Sequence, residues 1–297
     1  MPLADFKELL FNARENNYAV PCLEVLNIEM AIGQVIAAEE KKSPVIFAFA
    51  PHLVPSVPIP IILPAIIDVA KNARVPVAVQ LDHGYDFNEI MNSINCGVSA
   101  VMFDGSELNY NENVGRTKEI IKIAHSRGID VEAELGFVGG GFDDEKTKAS
   151  QMTDPEMVLD FVAKTDVDAL AVSFGNLHGK YRGDPSLDLA RLSQIRAIVD
   201  TPLVMHGGSG LTEKDYKDIV AHGISNIHFY TYLAIGVWPD LEKRTNEIGR
   251  HPSYREIIKW TIEYYHHEAK KIMDMLDSTD KATVANGKSI YSDTIIK

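Results

Sequence analysis

The apolar positions of the chain fall into two alternating spacings. Short runs of β-branched and small residues cover 18–25, 44–50, 75–82, 98–103, 129–135, 168–174, 202–205 and 224–230, and each reads as a buried strand. Between them, 27–42, 59–73, 87–96, 112–127, 187–199 and 212–221 carry apolar residues at helical spacing. A further helix starts at Thr153-Asp154-Pro155-Glu156, with proline at the first helical position and an acid near the cap. Helical patterns over 2–16, 233–248 and 253–276 lie outside the strand–helix series. Eight strands alternating with helices predict a (β/α)8 TIM barrel with extra N-terminal and C-terminal helices. A doubly wound open sheet is the competing topology, but the first strand lacks the glycine-rich turn of its nucleotide-binding forms. With no internal repeat and no linker, residues 1–297 read as one domain, and the polar tail from 277 is left without assigned structure.

Composition narrows the class. At 45% hydrophobic and 24% charged residues the chain reads as soluble and globular. A formal charge of −13 argues against nucleic acid or an anionic membrane surface as the main partner, though not against a small anionic substrate. Cys22 and Cys96 are isolated and fit a reduced, cytoplasmic protein. The N-terminus does not resemble a signal peptide. The apolar stretch 59–70 is short and interrupted by Pro60, Pro64 and Asp68, so it does not read as a membrane span.

The chemistry is carried by the strand ends. Asp82 and His83 close the third strand just before Gly84, and Asp104 follows the fourth. Glu132 and Glu134 alternate with small or apolar residues in the fifth. His178 and His206 follow the sixth and seventh, while Glu24 and His228 end the first and eighth. In a barrel all of these face one mouth. His83, His178 and His206 each precede a glycine, and three neutral imidazoles with an open fourth position form a catalytic zinc shell. Gly207-Gly208-Ser209-Gly210 offers backbone N–H groups where barrels commonly bind phosphate. Successive strand residues point apart, so Asp82 is expected to serve as an acid/base rather than to share the metal of His83. His125, His222, His251, His266 and His267, on helices or at their edges, are expected to be solvated.

The motifs LDHG at 81–84, VMFDGS at 101–106, ENVGRTKEIIKIAHSRGIDVEAELG at 112–136, GNLHGKY at 175–181 and PLVMHGGSG at 202–210 resemble the class II, zinc-dependent fructose/tagatose-bisphosphate aldolases. The likeness runs in register from about residue 5 to 275. It implies a TIM barrel that is dimeric or larger, with Zn2+ on His83, His178 and His206 and Asp82 as the catalytic proton carrier. It also implies Asp104 and Glu134 as alternative or second-metal ligands. Gly179, Gly207 and Ser209, with Thr231, match positions that hold the substrate phosphate, often with a monovalent cation. The implied reaction is reversible aldol cleavage of a ketose phosphate, in which zinc polarises the ketone and stabilises the enediolate.

The substrate half departs from that family. Leu23-Glu24-Val25 stands where Phe-Asn-Val is usual, and Ala48 and Ala50 replace Gln and Ser. Phe142 takes the place of the loop acid, and Asn226-Ile227-His228-Phe229-Tyr230-Thr231 replaces Lys-x-Asn-x-Asp-Thr. Barrel closure makes strands one and eight neighbours, so Glu24 and His228 are expected to meet beside the substrate and either stand in for the loop acid or recognise a different hydroxyl pattern. Asp143 or Asp144 from the loop is the alternative. An acid at position 24 would repel a phosphate, which argues against a standard bisphosphate. Two other functions compete with the aldolase: a metal-dependent sugar-phosphate isomerase or epimerase, and a non-catalytic aldolase-like partner subunit.

Overall fold

A computed structural model describes residues 3–140, 151–181 and 185–291. Eight parallel strands close into a barrel in sequence order: β1 (Val20–Glu24), β2 (Val45–Phe49), β3 (Val77–Gly84), β4 (Ala100–Phe103), β5 (Asp130–Leu135), β6 (Ala169–Val172), β7 (Leu203–Met205) and β8 (Ile224–Phe229). β1 closes the ring against β8, with Cys22 opposite His228. Helices α2 (Ile28–Lys41), α3 (Ile59–Lys71), α4 (Phe87–Cys96), α5 (Tyr110–His125), α6 (Pro155–Thr165), α7 (Leu189–Ile198) and α8 (Glu213–Ala221) follow the first seven strands. The N-terminal α1 (Phe6–Glu15) and the C-terminal α9 (Thr231–Ile248) and α10 (Tyr254–Met275) are the additions predicted from the helical patterns. The TIM barrel is therefore the fold. α6 begins as its sequence indicates, with Asp154 accepting the Glu156 N–H and Pro155 in the first turn.

Period-two alternation decides what each strand shows to the interior. In β5, Val131, Ala133 and Leu135 join the apolar shell under the helices, which turns Glu132 and Glu134 inward. The interior is filled separately by Val20, Cys22, Ile46, Ala48, Ala78 and Met102, with further small residues. Phe6 and Leu10 of α1, both fully buried, close its N-terminal end. Each such side chain contributes about 2 kcal/mol by leaving water.

The segment after α10 is better ordered than its polar composition indicated. Asp280 and Ala282 donate backbone N–H groups to the carbonyls of Lys41 and Lys42 (both 2.8 Å), and Ala285 donates to Arg74 (2.7 Å). The buried Tyr291 hydroxyl donates to the Val69 carbonyl at 2.9 Å. These bonds strap 280–291 across the ends of α2 and α3.

Candidate active site

Alternation puts Ala78, Gln80 and Asp82 of β3 inside the barrel and Val77, Val79 and Leu81 outside, which would send His83 outward. It does not go there. His83 adopts a left-handed backbone (φ 46°), and the pairing of β3 with β4 shifts register between Leu81 and Gly84. That irregularity swings the imidazole to the same side as Asp82, leaving His83 Nε2 4.0 Å from Asp82 Oδ1. The expectation that the two side chains point apart is thus corrected.

His178 and His206 join His83 at the mouth, with ligand-competent nitrogens all within 4.8 Å of one another. One nitrogen of each ring is tied back. His83 Nδ1–H donates to Asp104 Oδ2 (2.8 Å) and His206 Nε2–H to Glu132 Oε1 (2.8 Å). His178 Nδ1–H donates to the Val138 carbonyl (3.2 Å). These bonds fix the tautomers and leave His83 Nε2, His206 Nδ1 and His178 Nε2 as free lone pairs. His206 Nδ1 lies 3.9 Å from Asp82 Oδ1, and His178 Nε2 is buried with no hydrogen-bond partner. A trio of imidazole lone pairs, two of them about 4 Å from an unmatched carboxylate oxygen, suits a divalent cation. A second grouping, His83 with Asp104 and Glu134, offers another cation position, and Glu134 Oε2 there is likewise unmatched.

The electrostatics point the same way. Burial disfavours a charged His83, yet Asp82 and Asp104 outweigh it and push the imidazole up to about 10, so this shell favours positive charge. Burial, His83 and His206 push His178 down to about 3, and burial with His228 and His83 lowers His206. Asp82 is held well below the carboxylate range because His83 and His228 overcome its burial. Glu134 is raised by burial and by Asp104.

The cavity over these residues measures about 310 Å³. One wall carries Gly179, Gly207, Ser209 and Thr231; the other carries Glu24, His52 and Tyr85. Gly207 has φ 68°, and a Cβ there would fall 2.1 Å from the Leu177 carbonyl oxygen, so only glycine fits. Thr231 opens α9 behind Tyr230, which provides no side-chain cap. Ser209 Oγ accepts the Tyr230 N–H (3.3 Å) and keeps its own hydrogen free to donate. Gly208 does not belong to the cradle. Its N–H is spent on the His228 carbonyl (3.1 Å) and its carbonyl accepts from Tyr216 (2.7 Å).

Barrel closure brings Glu24 and His228 to Asp82 from adjacent strands. His228 Nδ1 lies 3.5 Å from Asp82 Oδ1, and its ring stacks on His206 with centroids 4.0 Å apart. Glu24 Oε1 accepts the Ala50 N–H at 2.6 Å, while the carboxyl reaches hydrogen-bonding range of Asp82. Burial and Asp82 raise the Glu24 pKa well above the usual range. Phe142, Asp143 and Asp144 lie outside the described residues.

Sequence reasoning gave no role to several neighbours. Glu132 receives both His206 and the Gln80 amide (Nε2–H to Oε2, 2.8 Å), so it orients a ring rather than facing the cavity. Tyr85 stacks on His83 at 5.9 Å and His52 meets it edge-on at 6.2 Å. Their signal was positional: Tyr85 is two residues past His83, and His52 follows the end of β2. The histidines expected to be solvated differ among themselves. His125 donates to Asp168 (2.7 Å), His266 to Glu40 (3.0 Å) and His222 to the Asp218 carbonyl (2.6 Å).

Residues 4–281 match the family model described as "Fructose-bisphosphate aldolase class-II". The chain belongs to the class II fructose-bisphosphate aldolase family. A fructose-bisphosphate aldolase of Staphylococcus aureus is 36% identical over 234 residues, covering 78% of this chain and 82% of that protein. The protein YdjI of Escherichia coli K12 is 38% identical over 232 residues, 78% of this chain and 84% of its own. The crystal structure of the YdjI aldolase superposes with a TM-score of 0.84 at 31% identity, covering 95% of this chain and 100% of that one. A putative fructose-1,6-bisphosphate aldolase from Coccidioides immitis gives 0.83 at 28% identity, with 93% and 97% covered. As a family member the chain is an aldolase-type lyase. Among the described residues no helix is long and apolar enough to cross a membrane.

Proposed function

We propose that this chain is a zinc-dependent ketose-phosphate aldolase in which His83 Nε2, His178 Nε2 and His206 Nδ1 hold the metal. The observation that carries this reading is the orientation of the three rings, each tied back through its other nitrogen. Bound there, zinc supplies Lewis-acid polarisation of the substrate ketone. Gly179, Gly207, Ser209 and the first turn of α9 at Thr231 receive the substrate phosphate through backbone and hydroxyl donors. Asp104 sets the orientation of His83, and together with Glu134 it offers the alternative cation position.

In cleavage the C4 hydroxyl proton passes to Asp82 as the C3–C4 bond breaks. The bond's electron pair stays on the C3 side, and C4 leaves as the aldehyde. Asp82 suits this work because it is ionised, lines the cavity and has one buried oxygen with no hydrogen-bond partner. His228, 3.5 Å away, then takes part in steadying or receiving that proton, and Glu24, from the neighbouring strand β1, stands beside Asp82. The same family likeness favours a homodimer or larger assembly, and the two free cysteines suit the cytoplasm.

Substituting Asp82→Asn tests the assignment. Ketose-phosphate cleavage, followed by aldehyde release, is expected to fall by about 10²–10⁴ in kcat with bound zinc retained. Turnover within twofold of the unmodified enzyme would remove Asp82 from the chemistry.

A further inference from the structure

The two walls of the cavity differ in charge and chemistry. From this we propose that the substrate is a ketose monophosphate, whose phosphate lies on the cradle and whose aldehyde half carries no phosphate and is read through its hydroxyls by Glu24 and His52. The proposal rests on the aldolase reading and names its substrate class.

The cradle wall, at the ends of β6, β7 and β8, is made for one anion. Gly179 and Gly207 bring backbone close, Ser209 retains a hydroxyl hydrogen, and an 18-residue helix opens at Thr231 with no side-chain cap on its N–H groups. The metal trio and Asp82 stand beside it. A ketose with its phosphate on this wall must extend its other end along the remaining one, past β1, β2 and the loop after β3.

That remaining wall is built of Glu24, Ala50, His52, Leu53 and Tyr85. Glu24 is buried, fixed by the Ala50 N–H and set against Asp82, so the two carboxyls together are anionic whether they share one proton or none. Among the described residues lining the cavity there is no lysine or arginine to hold a second phosphate. A second phosphate dianion here would meet like charge in a partly desolvated cleft. A hydroxyl-bearing chain fits instead. A carboxyl can give or accept a hydrogen bond with sugar hydroxyls, the imidazole of His52 can do the same, and the half-exposed Tyr85 ring offers an apolar face to C–H groups.

The test uses the full-length, zinc-loaded enzyme in the condensation direction. Dihydroxyacetone phosphate is supplied with glyceraldehyde or with glyceraldehyde 3-phosphate, each as both enantiomers, and its consumption is followed. The expected kcat/KM for the better glyceraldehyde enantiomer exceeds that for its phosphorylated counterpart by about tenfold or more. The handicap of the phosphorylated aldehyde is expected in KM rather than kcat, and to shrink with added salt. Glu24→Gln, which makes position 24 permanently neutral while keeping a hydrogen-bonding group, should narrow the ratio at least about threefold. Equal or better use of glyceraldehyde 3-phosphate overturns this proposal and leaves the aldolase reading standing. Condensation with neither aldehyde, in protein holding one zinc per chain, overturns both.

Discussion

The N-terminal end of the barrel and its mouth each bury a carboxylate beside histidine, and they treat its oxygens differently. At the N-terminal end Asp168 is fully matched. Its Oδ1 accepts from Lys7 Nζ (2.8 Å), and its Oδ2 accepts from His125 Nε2–H (2.7 Å) and the Val131 N–H (2.9 Å). The basic side chains around the nearby depression are also engaged. Arg14 binds Asp200, Arg196 donates to the Val199 carbonyl, and His222 to that of Asp218. At the mouth Asp82 Oδ1, His178 Nε2, Glu134 Oε2 and both His228 nitrogens have no hydrogen-bond partner. Each such buried group costs about 1–3 kcal/mol. Gln34 Oε1, Ser173 Oγ and both amide atoms of Asn226 are unmatched as well, but the mouth is where such atoms gather on titratable side chains around one cavity, as a ligand site requires.

The largest expected effect separates the two ends outright. Asp168→Ala leaves the Val131 N–H unpaired and cuts Lys7 and His125 loose, which should cost about 3 kcal/mol in urea unfolding. Zinc content and kcat of the folded fraction should not change. Loss of zinc in this variant would mean that the N-terminal cluster also serves the site.

A smaller effect sharpens the mouth's side of the comparison. Glu132→Gln presents an amide to the Gln80 amide and weakens the acceptor that fixes His206, so zinc affinity should fall about 10–100-fold. Competition against a chromogenic chelator measures it, and an unchanged affinity would show that His206 is positioned without Glu132.

The smallest effect concerns pH. Burial and then Asp168 push Asp130 up to about 6, above its unfolded value, so the native chain prefers it protonated. Its ionisation costs stability above about pH 6, and the cost disappears below the unfolded pKa, where both states are protonated. Asp130→Asn should therefore stabilise by about 1 kcal/mol at pH 8 after allowance for solvent screening, with the gain fading as pH falls from 6 to 4. A gain that grows on acidification would refute the assignment.

Much of this is legible in the sequence itself. The run Val131-Glu132-Ala133-Glu134-Leu135 displays its two faces in the sequence, because strand periodicity needs no tertiary knowledge. The strand ends likewise disclosed His83, His178 and His206. The left-handed turn at His83 was not legible, since nothing in Asp82-His83-Gly84 announces a register shift with a neighbouring strand. Nor was the fate of Gly208, whose N–H is taken by a carbonyl of β8 through tertiary contact alone. His125 looked solvated because helix position says nothing about what stands across the barrel rim, here Asp168. Tyr291 was a readable hint: a large aromatic in an otherwise polar tail has a reason to seek cover.

The most direct measurement is stepwise zinc titration of chelator-stripped enzyme while ketose-phosphate cleavage is followed. Cleavage should fall to background on stripping and return in proportion to added zinc, saturating at one equivalent per chain on the three-histidine site. Full turnover by zinc-free protein would contradict the assignment, as would recovery that His178→Ala leaves unchanged.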